Sequence, residues 1–418
     1  MNRVCLLIGA LLMVVCQLGC SSTTQYVLTD AQSNIQVRHF RFTSDNVAFK
    51  SDAHWSVTQR VLKGGKQEGV RIITIDNGVL EIDIIPTRGM NVLEVRHKQH
   101  KGLRLGWNSP VKEVVHPAFI DLEGRGGLGW LDGFNELMVR CGLEFAGHPG
   151  LDKFTTNTGD SAEMELTLHG KVGNIPASRV EVIVDPSPPH RIRVRGVVYE
   201  RMFYGPKLKL VAEISTTPGS DTFRIDDTIT NQGPSDQEFQ IIYHTNFGNP
   251  LLGKGAKILT PVKSITPMNA HASKGIDHYD TYAGPTNGFI EEVYLIEPHA
   301  DKDGNTLAVL QNADGDRAAS ITWSTKQLPY LTIWKNTAAV DDGYVTGIEP
   351  GTGYPFNRRV ERHYGRVPKL KPGAIRRFTL EFGLHVGQEA VAKKVAEVEA
   401  VAAGRKAEVI REAPAIPE

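Results

Sequence analysis

The sequence predicts an all-β protein: a large antiparallel β-sandwich finished by one C-terminal helix. Three observations carry that expectation. Short runs rich in β-branched and aromatic residues alternate with period two, glycine-rich turns separate them, and no series of long helical patterns intervenes to build a parallel sheet. Residues 71–75 and 79–85 flank Asp76-Asn77-Gly78, a hairpin signal because these residue types tolerate positive φ. Further strands are expected at 163–170, 191–200, 208–215, 222–230, 238–244, 318–323, 330–334 and 376–385. Pro186-Ser187-Pro188-Pro189 reads as a loop between strands, and no repeat of fixed period divides the chain. At the C-terminus, Val391, Val395, Val398 and Ala402 recur at helical spacing. The expected organisation is therefore a sandwich over 37–386 and a helix with a polar tail over 387–418.

The N-terminus has a different composition. Arg3 precedes an apolar run, residues 4–15, too short to span a bilayer, which ends in Leu18-Gly19-Cys20-Ser21. This pattern predicts a lipoprotein-type signal over 1–19, lipidation of Cys20 and a polar tether over 20–36. The protein is then exported and held to the cell envelope by lipid alone. Cys5 and Cys16 leave with the signal, so Cys141 is the one cysteine left unmodified. No internal disulfide is available, and stability must come from the core. Cys141 itself reads as a small buried filler.

Charge narrows the ligand. The chain has 47 basic and 47 acidic residues, with no basic stripe to attract nucleic acid. A small, neutral or modestly charged molecule is expected. Gly124-Arg125-Gly126-Gly127-Leu128-Gly129 matches the dinucleotide fingerprint letter for letter. No βαβ pattern surrounds it, so a nicotinamide cofactor is not expected. His148, His271 and His278 are too scattered to suggest a metal site.

Three segments concentrate chemistry. In Ile242-Tyr243-His244-Thr245-Asn246, alternation puts His244 and Asn246 on one face of a strand end and Tyr243 on the other. His169 closes Leu166-Thr167-Leu168-His169-Gly170. Glu349 lies in Gly347-Ile348-Glu349-Pro350-Gly351-Thr352-Gly353, where glycine and proline predict a rigid shaped loop that positions a carboxylate.

Together these segments resemble the aldose 1-epimerase (galactose mutarotase-like) superfamily, over about residues 71–385. Thr167-Leu168-His169-Gly170 resembles its Leu-His-Gly-Gly segment, and His244 with Phe247 and Asn249 resembles its His-x-x-Phe-Asn segment. Glu349, followed by Pro355 and Asn357, resembles its late glutamate loop. Arg140 and Asp277 are looser matches to its substrate-binding arginine and aspartate. Gly248, Lys171 and Pro350 depart from the family pattern and place the chain with a divergent bacterial branch.

The resemblance implies a carbohydrate substrate, Glu349 as base and His244 as acid, and no cofactor. Arg140, His169 and Asp277 would hold sugar hydroxyls, with Asn246 and Trp334 beside them. These roles require protonated His244 and ionised Glu349, which ordinary pKa values near neutrality would supply. Two other readings stay open: a carbohydrate-binding lipoprotein without catalysis, and a polysaccharide lyase-like enzyme in which Arg140 neutralises a uronate.

Overall fold

Alternating side chains give the ten-stranded sheet its form. In Ile192–Arg201 the inward residues Ile192, Val194 and Val198 are fully buried while their neighbours are half-exposed. Lys207–Thr216 and Thr222–Asn231 repeat the pattern beside it. A thirteen-stranded sheet forms the second layer. Ile82, Val92 and Tyr243 from it join Val194, Leu210 and Ile225 from the first in one hydrophobic core. This computed structural model describes residues 23–51 and 53–417; the expected signal over 1–19 and the lipidation at Cys20 lie outside them. No described helix is long and apolar enough to cross a membrane.

Four adjacent strands of the larger sheet matter most. Their order across the sheet is Tyr330–Asn336, Val345–Gly351, Gln240–Phe247 and Met138–Leu143. The last three are buried along their whole length on both faces. One face meets the sandwich core. The other is covered by a glycine-rich segment and by rings that wall a cavity.

Two expectations change here. The segment expected as a tether is ordered from Thr24: Thr24–Asp30 pairs antiparallel with Arg179–Val184, and Leu28 is buried. Leu28 joins the sandwich core, so a mostly polar run still joins a sheet. Glu349 lies on a strand, Val345–Gly351, with the loop beginning after it. Gly347 on that strand leaves the space beside the Glu349 carboxylate. The C-terminal helix forms over Gln388–Ala402 and buries Val391 and Val398 against Leu307, Val309 and Ala318. The fingerprint-like glycines make a single turn, Gly124–Gly127, with left-handed backbone at Arg125 and Gly126 and a 3-10 turn after it.

Candidate active site

Strand register builds the site. Thr245 lies opposite Ile348 and Ile242 opposite Gly351, so the same register sets His244 across from Glu349. Val139 is opposite His244 on one side, and Thr332 opposite Glu349 on the other. Thr332, Glu349, His244 and Val139 thus form a row across one sheet face, because directly opposed residues share a face. His244 Nε2 comes within 3.2 Å of Glu349 Oε1.

Glycine is required at one position beside this row. A Cβ on Gly347, two residues before Glu349 on the same face, would stand 2.2 Å from Glu349 Oε1 and 3.3 Å from the Trp334 Cβ. The absent side chain is the space that the carboxylate occupies. His169 depends on another glycine. It sits at φ 59, and Gly170 follows at φ 71, where a Cβ would strike the carbonyls of Phe145 and Gly142 at 2.2 and 2.4 Å. This turn aims the His169 ring at His244, with centroids 5.1 Å apart.

A cavity of about 420 Å³ opens over the row, within the range of small-ligand sites. Trp130, Phe134 and Trp334 surround His244 at centroid distances of 5.9, 5.4 and 5.6 Å. The glycine-rich segment supplies the roof through Leu128, Trp130 and Leu131. Trp334 Nε1 donates to Glu291 Oε2 at 2.7 Å, fixing the indole at the mouth. Four buried polar atoms of the lining, Glu349 Oε1, His244 Nδ1, Thr332 Oγ1 and Trp130 Nε1, have no hydrogen-bond partner within the protein. Buried polar groups are seldom left so, and these four belong to residues that line one cavity.

Burial sets the protonation states. It pushes Glu349 well above the usual carboxylate range, helped by the charge of Glu291. Burial pushes His244 well below the usual imidazole range, and the neighbouring His169 adds to the effect. The 3.2 Å approach is not aligned as a hydrogen bond, so desolvation prevails and the resting pair is neutral. This corrects the expected resting state of ionised Glu349 and protonated His244. The total is unchanged, because one acidic proton resides on the pair in either form. His169 is lowered to about 4, mainly by burial. Its Nδ1 lies 3.0 Å from the Ala146 carbonyl and must donate to it, which leaves Nε2 as an acceptor.

The other expected ligands separate. His169 and Trp334 line the cavity, while Asn246 lies beneath it and donates to the Glu136 carbonyl at 3.1 Å. Arg140 points to the opposite face, into the core. Its guanidinium holds Asp227 of the other sheet at 2.5 and 3.0 Å, and Tyr243 Oη donates to the same carboxylate at 2.9 Å. Asp277 is exposed and pairs with Arg411. Neither Arg140 nor Asp277 reaches the cavity, because strand facing and chain path exclude them. Trp130, Phe134, Thr332 and Glu291 line it without having been singled out, and His148, weighed only as a metal ligand, lines it too. Trp130 follows the glycine-rich run, which was a usable signal; Glu291 had none. Cys141 is buried, its thiol raised by desolvation. Among the described residues no cluster of metal-ligating side chains occurs.

Fold and site together define the class: the molecule is a galactose mutarotase-like β-sandwich. The chain belongs to the family described as "Domain of unknown function (DUF4432)", whose model matches residues 67–384. A structure from Klebsiella pneumoniae, provisionally named an aldose 1-epimerase, is 45% identical with a TM-score of 0.88, covering 95% of this chain and 100% of that one. A galactose mutarotase-like protein from Clostridium acetobutylicum is 16% identical with a TM-score of 0.51, over 78% of this chain and 97% of that one. Slr1438 from Synechocystis has the same TM-score of 0.51 at 15% identity, over 82% and 99%. These two similarities concern the fold. None of the curated proteins compared with the chain matches it.

Proposed function

We propose that this protein interconverts the anomers of a sugar, with Glu349 and His244 as its acid–base pair. The observation that carries the reading is their 3.2 Å approach across adjacent strands, in an aromatic cavity whose buried polar atoms lack partners. A sugar hydroxyl entering between them lets the carboxyl proton pass to His244. Glu349 then removes the proton from the C1 hydroxyl, the C1–O5 electron pair moves to the ring oxygen, and His244 protonates it. The C1–C2 bond rotates in the open aldehyde, and closure reverses both transfers. His169 Nε2 accepts a hydroxyl, while Trp130 and Trp334 pack against sugar C–H surfaces.

A positioned acid or base contributes a factor of about 10²–10⁴, roughly 3–5 kcal/mol. Glu349→Gln is therefore expected to lower anomer exchange, followed by NMR, by about that factor with the fold intact. Unchanged exchange would remove Glu349 from the mechanism. A lyase reading loses its proposed cation, since Arg140 is sealed in the core and, among the described residues, no arginine or lysine lines the cavity. We also propose, from the signal-like pattern ending in Leu18-Gly19-Cys20-Ser21, that the protein is held in the cell envelope through Cys20.

A further inference from the structure

We propose that the cleft holds a second, distal subsite, so that the substrate is a reducing disaccharide or longer chain rather than a free monosaccharide. This rests on the anomer-exchange reading of the first cavity. A second cavity of about 390 Å³ continues from the first, sharing His148, Pro149, Glu291 and Val293 with it. Its floor includes Met268, Phe356 and Val360, all buried, and its rim carries Asn269 and Arg359. An apolar floor with amide and guanidinium groups at the edge matches a sugar ring, which pairs C–H faces with an equatorial belt of hydroxyls.

Ring chemistry sets the direction. A pyranose whose C1 hydroxyl and ring oxygen meet the His244–Glu349 pair turns its C3–C4 edge away from them. A residue linked through O3 or O4 then extends away from the pair, and the lining shared through His148, Pro149, Glu291 and Val293 assigns it to the distal cavity.

The C-terminal tail contributes Ile416, 54% exposed, to the lining of the second cavity. Successive anchors fix the strap. Glu408–Val409 pairs in parallel with Ser264 and Ile265, and Ile410 N–H donates to the Ile265 carbonyl at 2.9 Å. Arg411 grips Asp277 through two hydrogen bonds of 2.7 and 3.0 Å. Tyr364 Oη donates to the Ala415 carbonyl at 2.7 Å. The aspartate expected to hold sugar hydroxyls thus acts on the cleft by holding the strap that borders it.

The test uses the mature protein with maltose, cellobiose, lactose, laminaribiose and β-1,4-galactobiose, each against its reducing-end monosaccharide. Anomer exchange by NMR is expected to give a disaccharide-to-monosaccharide kcat/KM ratio of at least tenfold for one pair. Ile416→Asp, and separately removal of residues 407–418, are expected to bring that ratio close to one. Ratios near one throughout in the wild type, or a ratio that both variants leave intact, overturn the subsite. If no sugar is turned over, the anomer-exchange reading fails separately, and calorimetry on the same pairs decides the subsite. Tighter binding of a disaccharide that Ile416→Asp abolishes supports it; equal or absent binding overturns it.

Discussion

His244 and Glu349 are individually ordinary residues made unusual by desolvation. Water would stabilise an imidazolium beside a carboxylate; the covered sheet face favours the neutral forms of both. The pair therefore loses its single acidic proton only at a pH well above 4.5, where Glu349 ionises. It gains a second only well below 6.5, where His244 is protonated. Activity should be bell-shaped, with macroscopic limbs that belong to the pair. Nitrogen-15 NMR of the free protein at pH 7 is expected to show a neutral His244 ring. An imidazolium signal there would contradict the neutral resting pair.

Strands translate these residues into a site. Register alone puts His244 against Glu349, and the empty Gly347 position gives the carboxylate its place. Gly347→Ala is expected to push the Glu349 carboxylate aside and lower kcat by about 10²-fold, the scale of a 1 Å misplacement. Circular dichroism should show the fold retained; full activity in this variant would refute the role given to Gly347. On the other sheet face, Arg140 joins the layers through Asp227. Removing one partner of a buried pair costs about 3–5 kcal/mol, so Arg140→Ala should lower the denaturant midpoint by a corresponding amount. Normal stability with a raised KM would instead return Arg140 to the substrate. The facing of His244 and Tyr243 was legible from alternation. The pairing partners of either strand were not, because register depends on contacts about a hundred residues apart.

At the scale of the molecule, the N-terminal strand changes how the protein would meet a membrane. If Cys20 carries lipid, only residues 21–23 separate it from Thr24–Asp30. Three residues reach about 10 Å at most, so the sheet edge would rest close to the bilayer surface. Labelled palmitate is expected to enter the wild type and not Cys20→Ala, with the wild type in the membrane fraction. Equal soluble yields of both would end the anchoring proposal. The glycine-rich match to a dinucleotide fingerprint has its use at this scale too, as the roof over a cavity. Behind these letters stands a 3-10 turn, Gly129–Gly133, in place of the long helix that the dinucleotide fingerprint opens.

Local pattern by itself determined the all-β class, the long alternating strands of the ten-stranded sheet and the C-terminal helix. Each of these depends on residues within one turn or one strand of each other. It also drew attention to His169, His244 and Glu349, whose proposed roles came from the family resemblance. Tertiary structure decided what sequence spacing cannot encode: which face of the sheet is covered, and which strands are neighbours. Those two choices sent Arg140 into the core and Asp277 to the C-terminal strap. They brought Trp130, Phe134 and Glu291 to the cavity, and by excluding water they set the protonation of the pair.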